Sequence, residues 1–367
     1  MAKQDTKRLV LLDAHAIIHR AYHALPELTS PSGAPSGALY GLSSMLLRII
    51  ADLEPDYLAA CYDLPKPTVR HEAYAEYKGT RAKTDDALVA QLKDSRKIFE
   101  AFGIPMFDRE GFEADDLLGT IAHLLKNRKD IEVIIASGDM DTLQLIDGKR
   151  VQVYTLKKGL NDTILYDEQA VIDRFGFPPE LIPDWKGLRG DPSDNIKGVA
   201  GIGEKTATDL VVNFGSIDQI YKTLKKNEQA LLDKGIKPRI VNLLKEHEED
   251  ARFSHMIAMI RLDAPVNFDI EACVFRDGSR LPTILELFDT YGFRSLRARA
   301  EQAFAHEGYE EEKQAETEEV SEELLREAQV MLWLIRSDYT SPTLDDVLAY
   351  GKSRKLSEAH ANLLKEL

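Results

Sequence analysis

The sequence is short of several residue types, and each shortage narrows what the chain can be. Cysteine occurs twice, as Cys61 and Cys273, which predicts neither a disulfide framework nor a thiolate metal site. No apolar run approaches the roughly 18–20 residues that a membrane-spanning helix requires. The opening residues, Met1–Lys7, are polar and do not have the pattern of a signal peptide. We therefore expect a soluble, intracellular protein.

Basic residues are outnumbered, because 47 Lys and Arg against 62 Asp and Glu give the 367 residues a formal net charge of −15. Residues 307–367 hold fifteen acids and seven Lys or Arg, a net −8, which leaves −7 for residues 1–306. Nine acids of that first part are assigned below to a metal site, and without them it carries +2. Carboxylates that a metal neutralises do not repel phosphate, so the acidic total does not exclude a nucleic-acid partner.

Three short apolar runs end at or just before an aspartate: Arg8–Asp13, Tyr57–Asp63 and Glu132–Asp139. Each run has the length of a strand that is buried on both faces. In an open parallel sheet the carboxyl ends of the strands share one edge, where ligands bind. The aspartates that we expect at this edge are Asp13, Asp63, Asp139 and Asp141.

A further segment, Gly111–Asp116, has three carboxylates in four residues and leads into an apolar helix, Leu117–Leu125. Taken alone, these acids would be explained by the positive end of the helix dipole. Next to the strand-end aspartates they predict a shared polycarboxylate site. So many carboxylates do not stay ionised at close range without cations, and oxygen ligands favour Mg²⁺ or Mn²⁺ over zinc.

Two basic regions lie near these acids in the sequence. Residues 64–97 contain eight Lys or Arg and five acids, with aromatic residues between them. Such a segment could clasp a nucleic-acid backbone, and an ordinary solvated helical face explains it equally well. Arg20 and Tyr22 follow Asp13 closely, and they could hold a phosphate and stack a base. A surface arginine and a half-buried tyrosine explain them equally well.

The glycine-rich stretch Gly190–Ala207 precedes a predicted helix, Thr206–Phe214. A tight turn at a helix N-terminus can hold a phosphate through its backbone N–H groups without reading a base, and Lys205 would add charge. The alternative is a glycine-rich connector without a ligand. Residues 307–327, with ten acids and two bases, predict a linker. The roughly forty residues beyond it are too few to hold a core alone, so we expect them to dock elsewhere or stay partly disordered.

Together these segments resemble the 5′-nuclease family, which comprises the 5′→3′ exonuclease domain of bacterial DNA polymerase I and the flap endonucleases. The resemblance covers roughly residues 8–304. The motifs that carry it, in the family's order, are Leu12-Asp13, Cys61–Asp63, Arg70–Tyr74 with Tyr77–Arg81, Gly111–Asp116, Ser137–Leu145 and Gly190–Ala207.

The resemblance implies an α/β fold with a PIN-like, mostly parallel central sheet flanked by helices. It implies a nuclease domain at 1–175 with a helical arch at about 64–97, a helical subdomain with a helix–three-turn–helix DNA clamp at 176–305, an acidic linker at 306–328 and a tail at 329–367. The tail faintly resembles the region that follows this domain in DNA polymerase I. Either the chain is a stand-alone nuclease with a leftover tail, or it was cut from a longer polymerase.

The implied activity is a structure-specific 5′→3′ DNA exonuclease and 5′-flap endonuclease with two divalent ions, Mg²⁺ or Mn²⁺. The implied roles are RNA primer removal, Okazaki-fragment processing and DNA repair. Around the first ion the resemblance places Asp13, Asp63, Glu113 and Asp115. Around the second it places Asp139, Asp141, Asp191 and Asp194, with Asp115 between the ions and Asp116 in support.

The resemblance also implies DNA contacts. The cations that match residues at the scissile phosphate or the threaded 5′ strand are Arg20, Lys78 and Arg81. Further predicted contacts are Tyr22, Arg70, Gly198, Gly201, Gly203, Lys205 and Thr206. Residues 198–206 match a duplex-binding hairpin whose carbonyls hold a K⁺ ion in similar proteins. Met140 departs from the family pattern, which usually has a lysine there, but no metal ligand is lost.

The implied partners are DNA with a 5′ end, flap or nick and a DNA polymerase in cis or in trans. The implied state is a monomer without membrane contact, cytoplasmic and nucleoid-associated as in bacteria. Two other interpretations stay open. A catalytically inactive junction-binding module is expected to have lost acids, and all nine are present. A PIN-type ribonuclease would act on RNA, whereas the hairpin favours duplex DNA.

Overall fold

A six-stranded sheet lies at the centre of the structure. Its strands are β1 (Lys7–Asp13), β2 (Tyr57–Cys61), β3 (Met106–Phe107), β4 (Ile131–Ala136), β5 (Val151–Lys158) and β6 (Asp162–Tyr166). Their order in space is β3-β2-β1-β4-β5-β6. All neighbouring pairs are parallel except β5 and β6, which are antiparallel. Because β1 pairs with both β2 and β4, the carboxyl ends of these three strands meet at one edge.

The structure, a computed structural model, describes residues 6–158, 162–275, 280–304, 322–336, 342–351 and 356–367. They belong to two units, Met1–Phe304 and Ala305–Leu367. Among the described residues, no helix is both long enough and apolar enough to cross a bilayer.

Helices flank the sheet in the first unit. They are α1 (Ala14–Ala24), α2 (Gly37–Leu53), α3 (Val69–Ala73), α4 (Asp86–Ala101), α5 (Ala114–Leu124), α6 (Glu168–Phe175), α7 (Ile182–Arg189), α8 (Glu204–Phe214), α9 (Ile217–Lys226), α10 (Gln229–Asp233), α11 (Pro238–Glu246), α12 (Glu248–Ala258), α13 (Leu281–Tyr291) and α14 (Arg294–Phe304). Short 3₁₀ helices cover Met140–Leu145, Pro179–Leu181 and Glu271–Cys273.

The sheet separates two apolar cores, and β1 contributes to both. Successive side chains of a strand point to opposite faces, so Leu9 and Leu11 join the core that contains α5 and α7–α11. Val10 and Leu12 join the core formed with α1, α2, α4, α13 and α14. All four side chains are fully buried, and burial of each contributes about 1.5–3 kcal/mol. The doubly buried strand predicted from its uninterrupted apolar run is therefore confirmed.

Helices α13 and α14 pack beside α2 and α4, on the side of the sheet opposite the α7–α11 core. Residues 281–304 thus lie within the predicted subdomain at 176–305 but share the core of the nuclease domain. The predicted arch at 64–97 consists of α3, a run of turns at 74–81 and the first part of α4. Leu88, Ser95 and Phe99 of α4 face the core, so this helix is amphipathic rather than wholly solvated.

The second unit contains three helices, α15 (Glu322–Ile335), α16 (Leu344–Tyr350) and α17 (Leu356–Glu366), in the residues that the structure describes. They share a small apolar core that includes Leu332, Val347 and Leu363. The described part of the predicted tail therefore shares a core with the end of the predicted linker, which contributes Ala328, and the expectation that these residues form no core of their own is wrong. The predicted linker at 306–328 lies outside the described residues up to position 321, and its remaining part begins α15.

Candidate active site

Two aspartates lie where neighbouring strands of the sheet end, and each is held by backbone or hydroxyl hydrogen bonds. Asp13 ends β1 and caps α1, accepting from the Ala16 N–H at 3.0 Å and from the Ser137 hydroxyl at 2.7 Å. Asp63 follows β2 and accepts from the Ala114 N–H at 2.8 Å, which ties this strand end to the start of α5. These bonds fix the direction of each carboxylate before any ligand is considered.

The acids after β4 and at the start of α5 are positioned in the same way. Asp139 caps the 3₁₀ helix and accepts from the N–H of Asp141 at 2.9 Å. Glu113 is the N-cap of α5, and its N–H donates to Asp116 at 3.0 Å in a capping box. Asp115, between them, is half-buried in the first turn of the helix. The acids therefore have a local structural role as well as a shared location.

A cavity of about 850 Å³ opens over this edge of the sheet. Seven of the nine carboxylates predicted as metal ligands line it: Asp13, Asp63, Glu113, Asp115, Asp139, Asp141 and Asp191. The cations that line it are Arg20, Lys78, Arg81, Arg174, Lys186 and Arg189. The fold thus brings together acids that are up to 178 positions apart in the sequence, Asp13 and Asp191.

At one end of the cavity the protein offsets the buried negative charge only in part, through the charge of Lys78, which lowers the pKa of Asp115. Within the described residues, neither Asp13 nor Asp115 forms an ion pair with a lysine or arginine. Burial raises the pKa of Asp13 to about 7, and the charge of Asp63 adds to this effect. Burial and then the charges of Asp13 and Asp139 raise the pKa of Asp115 well above its ordinary value. A divalent cation would remove this electrostatic cost.

At the other end a lysine that the sequence reasoning missed neutralises two acids. Lys186 on α7 is 7% exposed, and its ammonium donates to Asp141 and to Asp191, the latter at 2.5 Å. Burial would raise the pKa of Asp191, but the nearby ammonium holds it below its ordinary value. Burial raises the pKa of Asp141 to about 6 in spite of Lys186. One lysine in a short helix that is buried along almost its whole length gives no sequence signal for this contact.

The turns at 74–81 cover the start of α5. Lys78 donates to Glu113 at 2.9 Å, and Arg81 donates to Asp194 at 2.5 Å. The hydroxyl of Tyr77, which is buried, lies 3.1 Å from oxygens of both Glu113 and Asp194. Asp194 was predicted at the second metal, but it does not line the cavity, because its carboxylate is held by Tyr77 and Arg81.

The prediction that Asp116 joins the metal ligands and that Arg70 contacts DNA needs correction. Both side chains are buried, and the guanidinium of Arg70 makes two bonds of 2.8 Å to the carboxylate of Asp116. Arg70 also donates to the carbonyl of Ile257 at 3.0 Å, and Asp116 accepts from the Arg261 N–H at 2.9 Å. A buried pair with its hydrogen bonds already made has no free donor or acceptor for a ligand. It anchors α5 instead.

Arg20 lines the cavity and forms no hydrogen bond or ion pair with any residue that the structure describes. It is therefore available to an incoming anion. Tyr22 does not line the cavity; its half-buried ring lies edge-on to His23, with ring centres 5.3 Å apart. His15 and His19, which carried no prediction, do line the cavity, and burial lowers the pKa of both. The sequence signal for them was their separation of four residues, which places both side chains on the same face of α1.

The predicted hairpin joins α7 to α8 and lies outside the cavity except for Glu204. Gly198 has a φ of +62°, and a Cβ there would lie 2.2 Å from the backbone nitrogen of Gly190. Only glycine allows the two segments to approach so closely. Gly201 also has a positive φ, and Gly203 precedes the first residue of α8. Lys205 is exposed and Thr206 half-buried, both in the first turn of α8. The DNA contacts and the K⁺ ion predicted here stay predictions.

The cavity residues fit divalent ions by chemistry and charge. Every predicted ligand is an oxygen donor, which suits Mg²⁺ or Mn²⁺. As the side chains stand, no three His, Cys, Asp or Glu groups within the described residues lie close enough together to hold one ion. The ion pairs of Lys78 and Lys186 explain part of this spacing, since each ammonium lies against carboxylates that an ion would need.

Comparison with known proteins decides the family. Residues 8–176 match the model of the 5′-3′ exonuclease N-terminal resolvase-like domain, and residues 177–280 match that of the 5′-3′ exonuclease C-terminal SAM fold. The chain belongs to the 5′-3′ exonuclease family. The family, the nuclease class and the α/β fold that the motifs predicted are confirmed.

Similar curated proteins are bacterial DNA polymerases I. That of Bacillus caldotenax is 36% identical over 336 residues, which cover 91% of this chain and 37% of the relative. That of Chloroflexus aurantiacus is 40% identical over 268 residues, which cover 72% of this chain and 27% of the relative. The chain thus spans about a third of the length of these relatives.

Solved structures support the fold. A phage T5 5′-exonuclease with bound divalent zinc has a TM-score of 0.55 and 21% identity, over 80% of this chain and 100% of that chain. Human GEN1 in complex with Holliday junction DNA has a TM-score of 0.53 and 14% identity, over 86% of this chain and 76% of that chain. At these identities the likeness concerns the fold.

Proposed function

We propose that this chain of the 5′-3′ exonuclease family is a structure-specific 5′→3′ DNA exonuclease and 5′-flap endonuclease that uses two divalent ions, Mg²⁺ or Mn²⁺. The observation that carries the proposal is the cavity of about 850 Å³ with seven acids at the carboxyl edge of the sheet. Family membership supports the direction of attack, from a 5′ end. The phosphodiester of DNA is the substrate whose charge such a site would balance.

The carboxylates would hold the ions in two groups. Asp13, Asp63 and Asp115 would hold one, because this end of the cavity has negative charge that the protein offsets only in part. Asp139, Asp141 and Asp191, with the start of α5 beside them, would hold the other. Divalent ions in these positions would supply the activation of a water nucleophile and the stabilisation of the leaving oxygen.

The chain's own cations would bind and orient the scissile phosphate. Arg20 has no partner among the described residues. Lys78 and Arg81, from the turns at 74–81, form ion pairs with Glu113 and Asp194. Positive groups aimed at the phosphate favour the transition state, in which negative charge on the phosphate oxygens increases. Arg174 and Arg189 at the far rim extend the positive surface for the adjoining strand.

The hairpin at 198–206 would hold the duplex next to the cut. The exposed Lys205 and the N–H groups in the first turn of α8 would hold a phosphate without reading a base, which suits a nuclease that selects DNA shape. The proposal includes a K⁺ ion bound to the carbonyls of this hairpin. It also includes a monomeric protein that acts beside a DNA polymerase in primer removal and repair, in the bacterial cytoplasm near the nucleoid.

The test is product sizing on a DNA with a labelled 5′ flap. We expect cleavage near the flap junction with Mg²⁺, shorter products from a nicked duplex, and no products with a chelator. Binding without cleavage would favour the inactive junction-binding module. Faster cleavage of an RNA flap than of a matched DNA flap would favour the ribonuclease. An active-site variant, Asp115→Asn, controls for contaminating nuclease.

A further inference from the structure

Lys186 is the most buried cation of the catalytic cavity, and neither the predicted ligands nor the predicted DNA contacts account for it. Its side chain is 9% exposed, whereas the side chains of Lys78 and Arg81 are 23% and 51% exposed. Its ammonium donates to one carboxylate from the loop after β4 and to one from the loop after α7. It therefore joins the two segments that carry Asp141 and Asp191.

Packing alone does not explain a charged group at this place. An unpaired ammonium in a site of low exposure costs several kcal/mol, so a lysine here requires acidic partners. Within the described residues no other lysine or arginine pairs with Asp141 or Asp191. Without Lys186, the repulsion between neighbouring carboxylates would have no counter-charge. The charge of Asp139, for example, raises the pKa of Asp141. The lysine and the two acids thus depend on one another.

We propose that Lys186 is a positioning residue that serves as an internal counter-cation, holding Asp141 and Asp191 together until a divalent ion displaces its ammonium from them. This inference rests on the proposed metal-dependent function. The ammonium brings one positive charge to the two carboxylates and a divalent ion brings two, so the exchange is electrostatically favourable. Once displaced, the ammonium stays in the cavity, where the next available anion is a phosphate of the substrate.

The exchange predicts that the two ends of the cavity differ in their affinity for a divalent ion. Neither Asp13 nor Asp115 pairs with a lysine or arginine among the described residues, and the nearby Lys78 pairs with Glu113, so an ion held by these two acids breaks no ion pair of theirs. The end with Lys186 binds an ion only as its ion pairs break. We therefore expect two metal affinities, with the weaker site at Asp141 and Asp191. Removing the ammonium should strengthen that weaker site.

The experiment uses the full chain without DNA and compares the wild type with Lys186→Met, Lys186→Arg and Lys149→Met. Lys149 is exposed and controls for the loss of a surface lysine. Calorimetry with Mg²⁺ measures affinity, and thermal unfolding with chelator or Mg²⁺ measures stability. Lys186→Met should bind the ion at the weaker site about tenfold more tightly than the wild type. Its Tm should be lower than that of the wild type in chelator and should recover with Mg²⁺. Lys186→Arg, which keeps a cation, and Lys149→Met should resemble the wild type.

A second measurement on the wild type keeps the inference testable if Lys186→Met does not fold. An amine-reactive reagent followed by mass spectrometry should label Lys186 slowly in chelator and several times faster with Mg²⁺. Labelling of Lys149 should not change. Equal metal affinity in the wild type and Lys186→Met, or metal-independent labelling of Lys186, would overturn the inference. If the wild type binds no divalent ion at all, the proposed metal site itself is wrong, which is a different outcome.

Discussion

The two ends of the cavity differ in how their buried negative charge is balanced. At the strand ends, burial raises the pKa of Asp13 and Asp115, and no lysine or arginine among the described residues pairs with them. At the other end, Lys186 lies against Asp141 and Asp191. The difference indicates that one end is left for an external cation, whereas the protein itself balances the other. Ion binding at the first end therefore starts from unpaired acids, whereas ion binding at the second end requires the ion pairs of Lys186 to break.

The largest effect is expected at the end that contains Asp13 and Asp115. Asp115→Asn removes a charge that an ion needs, and we expect cleavage of a flap substrate to fall by about 10³-fold or more. DNA affinity in chelator should change little, because the hairpin is untouched. Single-turnover cleavage and gel-shift titration measure the two effects. Asp263→Asn is the control, since Asp263 is exposed and pairs with Arg261 outside the cavity. Unchanged turnover in Asp115→Asn would refute the metal assignment.

The next largest effect distinguishes a structural role of Arg70 from a contact with DNA. Arg70→Met leaves Asp116 buried without its partner, and we expect a loss of about 3–5 kcal/mol in the free energy of unfolding. Urea denaturation measures it. Adding Asp116→Leu should restore part of the loss, because the unpaired charge is then gone. If Arg70 instead contacts phosphate, stability would be unchanged and the salt dependence of DNA binding would weaken.

A smaller effect is expected when Lys78, which donates to Glu113, is replaced. Lys78→Met removes a positive group close to the scissile phosphate, and we expect kcat to fall about 10²-fold with a small change in KM. The Tm should fall only slightly, since Tyr77 and Arg70 still contact Glu113. Steady-state kinetics measure the split between kcat and KM, with the exposed Lys129→Met as control. A change in KM alone would assign Lys78 to ground-state binding.

The smallest effect concerns pH. The pKa of Asp13 is about 7 in the folded chain and near 3.8 when unfolded, so between these values the folded state binds more protons. Stability contributed by this group is therefore present at low pH and decreases as the pH rises from about 4 to about 7. We expect this loss of stability in chelator and a much smaller one with Mg²⁺, because a bound ion favours the charged carboxylate. Urea denaturation at several pH values measures the loss.

Asp13→Asn provides the reference for that series, because it carries the other ionisable groups but not this one. The difference between wild type and variant should decrease across the same pH range in chelator. A difference that does not vary with pH would mean that Asp13 titrates normally, and the contrast between the two ends would weaken. A difference that grows with pH would contradict its direction.

The sequence was most informative where a local pattern determines position. The apolar runs before Asp13, Asp63 and Asp139 predicted buried strands, and parallel pairing then places their ends at one edge. Those inferences depend only on the period of a strand and the direction of its neighbours. The closeness of the acids followed without any knowledge of their side-chain contacts.

The parts that sequence reasoning missed depend on contacts between distant segments. Arg70 meets Asp116 across 46 positions, and Arg81 meets Asp194 across 113. No local period tells whether a cation in a basic segment turns inward to an acid or outward to phosphate. Lys186 is similar, because its role follows from the packing of α7 against the 3₁₀ helix Met140–Leu145, which carries Asp141. Ion pairs in the interior are set by tertiary structure rather than by propensity.

The most direct test of the account is the anomalous scattering of Mn²⁺ in crystals of the full chain. We predict two peaks in the cavity. One should lie among the carboxylates of Asp13, Asp63 and Asp115, and the other beside Asp141 and Asp191, with the ammonium of Lys186 moved away from both. Mn²⁺ bound only outside the cavity, in crystals that contain the ion, would contradict the assignment of these carboxylates to a two-metal nuclease site.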